Sequence, residues 1–338
     1  MPLRRSVSSL IAAAVAVTAL TATVAAAPPA GAHTAGGTAG KTYVALGDSY
    51  AAGFGLPAPA KPTRLAFPGC AQTSLDYPHR LAAQLKLRLI DASCSGATTA
   101  DFYAAQSVPG RMPPAQLDVV KALQPDLVTV TIGGNDLGFS SIAQTCLAAS
   151  PAGPLFLHPT FASCTSYFAS AAGSADNPYT RLAAVGSKVL AALKAVHKAD
   201  PHAKVLVIGY PAIAPNAANT PPGGCFVANE IPLTSVNGAP LTSAFPFTDT
   251  DVPFLASLQQ QLDREIAEAT RESGGSYTDI YRASLPHSAC SPERTRWVEP
   301  VVPGGRGFNV LHPSLAGTAA MAKALSPSAT WLFTPHRN

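Results

Sequence analysis

From Thr42 onward, short apolar runs alternate with stretches whose apolar residues recur at helical spacing. The runs Tyr43 to Leu46, Arg88 to Ala92, Leu127 to Ile132, Lys204 to Ile208 and Ser276 to Ile280 are β-branched or aliphatic and predict five strands. Between the later runs, Leu182, Val185, Val189, Leu193 and Val196 mark one helix, and Phe254, Leu258, Leu262 and Ile266 mark another. The second helix has clear ends, with Asp251 and Pro253 at its start and Gly274-Gly275 after it. Alternation of this kind predicts an α/β protein, a parallel sheet covered by helices on both faces. Two segments break the rhythm, Leu137 to Asp176 and Tyr210 to Asp251. Both are rich in Pro, Ala, Ser, Thr and Gly and read as long loops walling a substrate cleft. Their Phe156, Leu157, Phe161, Phe226, Phe245 and Phe247 are then available to line it.

The chain starts differently. Arg4 and Arg5 precede an alanine-rich apolar stretch from Leu10 to about Ala27, and Pro28 to Ala32 are small or breaking residues. That order predicts a secretory signal peptide and leader over residues 1–32, hence a secreted, extracellular protein. No basic stop-transfer cluster follows, so no stable membrane anchor is expected, and the cleavage site and export route stay open. Residues 41–338 show no internal repeat or linker and read as a single domain, expected to be a monomer. Setting aside the two leader arginines lowers the formal charge from +4 to +2. With no Lys/Arg cluster, a nucleic-acid partner is excluded.

Six cysteines, Cys70, Cys94, Cys146, Cys164, Cys225 and Cys290, all lie beyond the leader. An even number in an exported chain reads as three disulfides, although six cysteines allow 15 pairings. Their grouping along the chain favours joining neighbours: Cys70 with Cys94, Cys146 with Cys164, Cys225 with Cys290. No CxxC, HExxH or histidine-rich cluster is present, so neither a metal nor another cofactor is expected.

Chemistry enters through register. Ser49 follows the first predicted strand within Gly47-Asp48-Ser49-Tyr50, Gly96 follows the second within Cys94-Ser95-Gly96-Ala97-Thr98, and Asn135 follows the third within Gly133-Gly134-Asn135-Asp136. In a parallel sheet all three emerge at the carboxyl edge, where open α/β folds bind ligands. A serine on a tight turn can act as nucleophile, and the N–H groups of Ser49 and Gly96 with the Asn135 amide can receive an oxyanion. Of eight histidines, His312 stands apart because Pro313 and a helical stretch, Leu315 to Ala324, follow it and place its ring at the mouth of a helix. His79 and His197 fall on helices beside charged residues and read as solvated. Asp48 and Asp136 read as carboxylates that fix their turns rather than as acids of the reaction.

Together, GDSY, the SGAT glycine, GGND and the late His-Pro-Ser resemble the SGNH subgroup of GDSL hydrolases, in the manner of secreted actinobacterial lipases and esterases. The resemblance spans nearly all of the chain after the leader. It implies a three-layer α/β/α sandwich with a five-stranded, flavodoxin-like parallel sheet. It implies a serine esterase, with Ser49 as nucleophile, His312 as general base and Ser49, Gly96 and Asn135 as oxyanion hole, and it supports the sequential disulfide pairing. One position departs. Many relatives carry an aspartate three residues before the histidine, where this chain has Asn309, so the base is expected to be oriented by the residue 309 carbonyl or the Asn309 side chain and no acid is carried over. The expected partner is a small-molecule or lipid ester. Phospholipid deacylation, acyl transfer and polysaccharide deacetylation fit the same site, and a non-catalytic binding protein is the alternative of another class.

Overall fold

The computed structural model describes residues 37–57, 67–174, 177–236, 238–302 and 309–334. The leader expected over residues 1–32 lies outside the described residues. Seven strands are present among the described residues: β1 Thr42–Gly47, β2 Arg88–Asp91, β3 Leu127–Thr131, β4 Lys204–Ile208, β5 Glu230–Val236, β6 Ala239–Ser243 and β7 Ser276–Thr278. Five of them form one parallel sheet in the order β2-β1-β3-β4-β7, the flavodoxin-like arrangement in which the chain reverses direction of growth between β1 and β3.

The period of two along the strands explains the layers. Val44, Leu46, Val128, Val130, Val205 and Val207 face one side, where they pack with helices Gln116–Leu123, Pro178–Ala199 and Asp251–Glu272. Tyr43, Ala45, Leu206 and Ile208 face the other, under Tyr77–Leu85 and Leu315–Phe333. Two buried threonines on β3 would be costly unpaired on that second face. Tyr43 Oη meets Thr129 Oγ1 at 2.6 Å and Tyr77 Oη meets Thr131 Oγ1 at 3.0 Å.

The segments read as loops carry more structure than expected. Phe139–Thr145 and Cys164–Ser170 are helices within the first, and β5 and β6 form an antiparallel hairpin within the second. The hairpin turns between Val236 and Ala239, where Asn237-Gly238 is a two-residue turn signal. Disulfides join Cys70 to Cys94, Cys146 to Cys164 and Cys225 to Cys290. No helix among the described residues is long and apolar enough to cross a membrane.

Candidate active site

Ser49 is the first residue of a one-turn helix, Ser49–Ala52, that begins two residues after β1. Gly47 permits this turn: its φ is +135°, and a Cβ there would collide with the Thr131 carbonyl of neighbouring β3. Asp48 caps the helix, its Oδ1 accepting the Tyr50 N–H at 2.9 Å, while its own N–H donates to Thr131 O at 3.0 Å. Gly53, at φ +72°, ends it. The serine is thus held by backbone geometry at the carboxyl edge of the sheet.

His312 arrives from the opposite end of the sequence. Its Nε2 lies 2.7 Å from Ser49 Oγ and its Nδ1 lies 2.7 Å from the Val310 carbonyl. A carbonyl can only accept, so Nδ1 carries the proton and Nε2 turns its lone pair to the serine hydroxyl. Burial pulls the imidazole down from 6.5 to about 4, against the opposing effect of the Val310 carbonyl. The ring is therefore neutral, the form a base requires, over most of the pH range.

Gly96 and Asn135 reach the same place. The Cys94 N–H donates to Gly47 O at 2.9 Å, which brings the turn after β2 against the end of β1, and Gly96 takes φ +82°. Among the described residues the main-chain N–H groups of Ser49 and Gly96 have no hydrogen-bond partner. Asn135 donates one Nδ2 hydrogen to Ala97 O at 2.9 Å, leaving the other for whatever occupies the cavity. Asp136 beside it does not face the serine: its two oxygens accept the N–H and Oγ1 of Thr99 at 2.9 and 2.7 Å and tie the turns after β2 and β3 together.

Ser49, Gly96, Asn135 and His312 all line one cavity of about 480 Å³. Its far walls are apolar, with Phe54, Phe139, Leu147, Ile213, Val236 and Leu262. The two wall segments contribute as expected, but not through the aromatic residues proposed for them. Phe226, Phe245 and Phe247 are buried in the core, Phe156 and Phe161 pack against it, and Leu157 is exposed. Phe226 directly follows Cys225 and Phe245 packs edge-on against Phe247 with ring centroids 4.7 Å apart, and such burial satisfies large apolar rings more fully than a cleft wall would.

Comparison with known proteins fits this geometry. Residues 45–320 match the GDSL-like lipase/acylhydrolase family. The chain belongs to that family. It is an ester hydrolase. It is 35% identical over 282 residues to Lipase 2 of Streptomyces coelicolor, covering 83% of each chain. It is 29% identical over 304 residues to an esterase of Streptomyces scabiei, covering 84% of this chain and 81% of that one. The fold is similar to the crystal structure of phospholipase A1 from Streptomyces albidoflavus, with a TM-score of 0.53, 23% identity and coverage of 87% and 99%.

Against the aspartate common in the GDSL hydrolases it resembles, this chain orients its histidine differently, and the expectation placed on Asn309 needs correcting. The Asn309 amide donates to Pro313 O at 3.1 Å, and its carbonyl accepts the His312 N–H at 2.9 Å. Neither group meets the ring. The 309–312 turn closes through Leu311 in the left-handed region, φ +55°, and this geometry sets the Val310 carbonyl opposite Nδ1.

Two tyrosines to which the sequence reading gave no role complete the site of this GDSL-family chain. Tyr210, two residues past β4, donates its hydroxyl to Asp48 Oδ2 at 2.5 Å and accepts the Gly134 N–H at 2.9 Å, so one oxygen links the Ser49 turn to the Asn135 turn. A Cβ on Gly134 would sit 3.1 Å from the Tyr210 ring, a tight contact that the ring would have to yield to. Tyr50 donates to the Leu311 carbonyl at 2.5 Å, and its ring centroid lies 4.8 Å from that of His312. The position of Tyr210 just after the fourth strand, equivalent to that of Ser49 after the first, is the signal that could have found it. His79 likewise differs from the solvated reading: half-buried, it meets Asp76 at 2.9 Å.

Proposed function

We propose that the protein is a secreted serine carboxylic ester hydrolase whose acyl chain lodges in the apolar cavity. Ser49 Oγ attacks the ester carbonyl carbon while His312 Nε2 takes the hydroxyl proton. The carbonyl oxygen becomes an oxyanion held by the N–H groups of Ser49 and Gly96 and by the Asn135 amide. Collapse of that intermediate breaks the bond to the alcohol, which leaves with the proton from Nε2. Water then repeats the sequence on the acyl-serine, giving its proton to His312, and releases the acid. The Val310 carbonyl holds the ring through Nδ1–H and stabilises the imidazolium in place of a carboxylate. The observation that carries the reading is the 2.7 Å approach of His312 Nε2 to Ser49 Oγ on the wall of the cavity. A volume of about 480 Å³ with walls such as Phe139, Leu147 and Leu262 favours an acyl chain over an acetyl group alone. Export is supported by the leader sequence and by three disulfides.

Fluorophosphonate labelling tests the assignment directly. Wild type should be labelled at Ser49 and lose activity in step, while Ser49→Ala should show neither labelling nor turnover and an unchanged fold. Labelling at another residue, or turnover in Ser49→Ala above about a tenth of wild type, would remove Ser49 from the mechanism. A series of p-nitrophenyl esters beside phosphatidylcholine and acetylated xylan then assigns the substrate.

A further inference from the structure

Behind the Ser49 helix, on the side away from the cavity, three ligating side chains meet. Asp76 caps helix Tyr77–Leu85, His79 lies in its first turn, and Asp91 ends β2. One ligand atom from each lies within 4.8 Å of the others. Asp76 is fully buried and Asp91 is 9% exposed. Asp91 Oδ1 accepts the N–H and Oγ of Ser93 at 3.0 and 2.6 Å, but its Oδ2 is buried with no hydrogen-bond partner. Arg80, the guanidinium whose charge acts on Asp76, donates its Nε to the Leu75 carbonyl at 2.9 Å instead of to a carboxylate.

Two buried carboxyls without a matching cation are costly. His79 supplies the third ligand atom of the group. Its Nδ1 sits 2.9 Å from both Asp76 oxygens. Two carboxyl groups and an imidazole, with an orphaned oxygen among them, form a ligand set.

We propose that Asp76, His79 and Asp91 bind one divalent transition-metal cation of the zinc class. A mixed set of one imidazole nitrogen and two carboxylate oxygens suits Zn²⁺ better than Ca²⁺, which takes oxygen ligands in larger number. Water completes the coordination from the open side of His79, whose side chain is 30% exposed. The role is structural. Thr73 N–H donates to Ala52 O at 3.0 Å, and a Cβ on Gly53 would lie 2.9 Å from Asp76 Cβ, so the cluster packs against the helix that carries Ser49. Asp91 also leads directly into Ser93, Cys94 and Gly96. A cation here therefore ties the turn after β1 to the turn after β2 at a point outside the cavity, beside the Cys70–Cys94 disulfide.

The untagged full-length protein, stripped on a chelating resin and reloaded with ZnCl₂ at neutral pH, tests this. After desalting, elemental mass spectrometry should find one zinc per wild-type chain. Zn²⁺ at about a hundredfold its Kd should raise Tm by roughly 5 °C. Asp91→Asn keeps the acceptor used by Ser93, and His79→Gln sits at a half-exposed position. Each should weaken zinc binding about tenfold or more and abolish most of the Tm rise. Equal zinc retention in wild type and both variants would overturn the site, as would a wild-type Tm indifferent to Zn²⁺. If stripped Asp91→Asn is more stable than stripped wild type and wild type retains no zinc, the two acids share a proton and no cation binds. A Tm rise with CaCl₂ but not ZnCl₂ would overturn the zinc-class assignment.

Discussion

Replacing Tyr210 with Phe removes one oxygen and changes little else in shape. That oxygen serves two buried groups, donating to Asp48 Oδ2 and accepting from Gly134 N–H. Each group left unsatisfied costs about 1 to 3 kcal/mol, so the variant should lose about 2 to 6 kcal/mol of stability. At roughly 2 °C per kcal/mol in a chain of this size, Tm should fall by about 4 to 12 °C. Asp48 adds a pH signature. Burial raises its carboxyl to about 7 from 3.8, while the Tyr210 hydrogen bond pulls it down. The folded state then holds the proton more tightly than the unfolded chain. This contribution to stability is fully present below 3.8 and is lost as pH rises through about 7. Without the Tyr210 hydroxyl, the decline should extend to higher pH. The same oxygen spaces the Ser49 turn from the Asn135 turn, and a displacement of about 1 Å between reacting groups costs ~100-fold in rate. Tyr210→Phe should therefore lose kcat by one to two orders of magnitude on a soluble short-chain ester, with KM moving much less. Thermal unfolding against pH and steady-state kinetics on the same preparation are the assays. A Tm loss of the stated size with kcat within about twofold of wild type would show that Tyr210 holds the fold and does not set the geometry of the site.

Asn309→Ala should cost less than about tenfold in kcat/KM, because only the Pro313 carbonyl loses a partner, whereas His312→Ala should cost several orders of magnitude. A loss of ~1000-fold in folded Asn309→Ala would make the side chain the orienting group. Since burial lowers His312 to about 4, the neutral base accumulates as pH rises through that value, and the rising limb of kcat/KM should fall there instead of near 6.5. A limb at or above 6.5 would refute the burial argument. Val236→Trp fills the cavity from the β5–β6 hairpin and should reduce kcat/KM for long acyl esters by about tenfold or more while sparing acetyl esters. An equal loss for both would show that Val236 lies off the acyl path.

The central strands β1, β3 and β4 were legible because apolar runs buried on both faces leave a continuous signal, and all five observed spans lie within two residues of the expected ones. Once their register was fixed, Ser49, Gly96 and Asn135 fell on one edge without further information. The hairpin was missed because its strands are mostly exposed and contain Pro232, so only Asn237-Gly238 announced it. Val310 could not be found from side-chain patterns, since it acts through its carbonyl and depends on the left-handed turn at Leu311. Tyr210 was hidden for the opposite reason. Its side chain was in view, but its two partners come from turns 76 and 162 residues away.

The Cys146–Cys164 disulfide begins and ends inside the same wall segment, between the Asn135 turn and helix Pro178–Ala199. Within that wall the bridge closes a covalent ring, which docks on the second wall segment through Ala148 N–H to Pro246 O and Cys164 N–H to Asp251 Oδ2, both at 2.9 Å, whereas the strands, Ser49 and His312 belong to the frame itself. A different wall of similar span that carried its own Phe139 to Leu147 and kept those two contacts could replace it, giving the cavity a new shape while the reacting atoms kept their spacing. Substrate preference and catalytic geometry are in this sense separately inheritable, and an exchange of residues 139–170 between relatives should transfer acyl-chain selectivity as a unit.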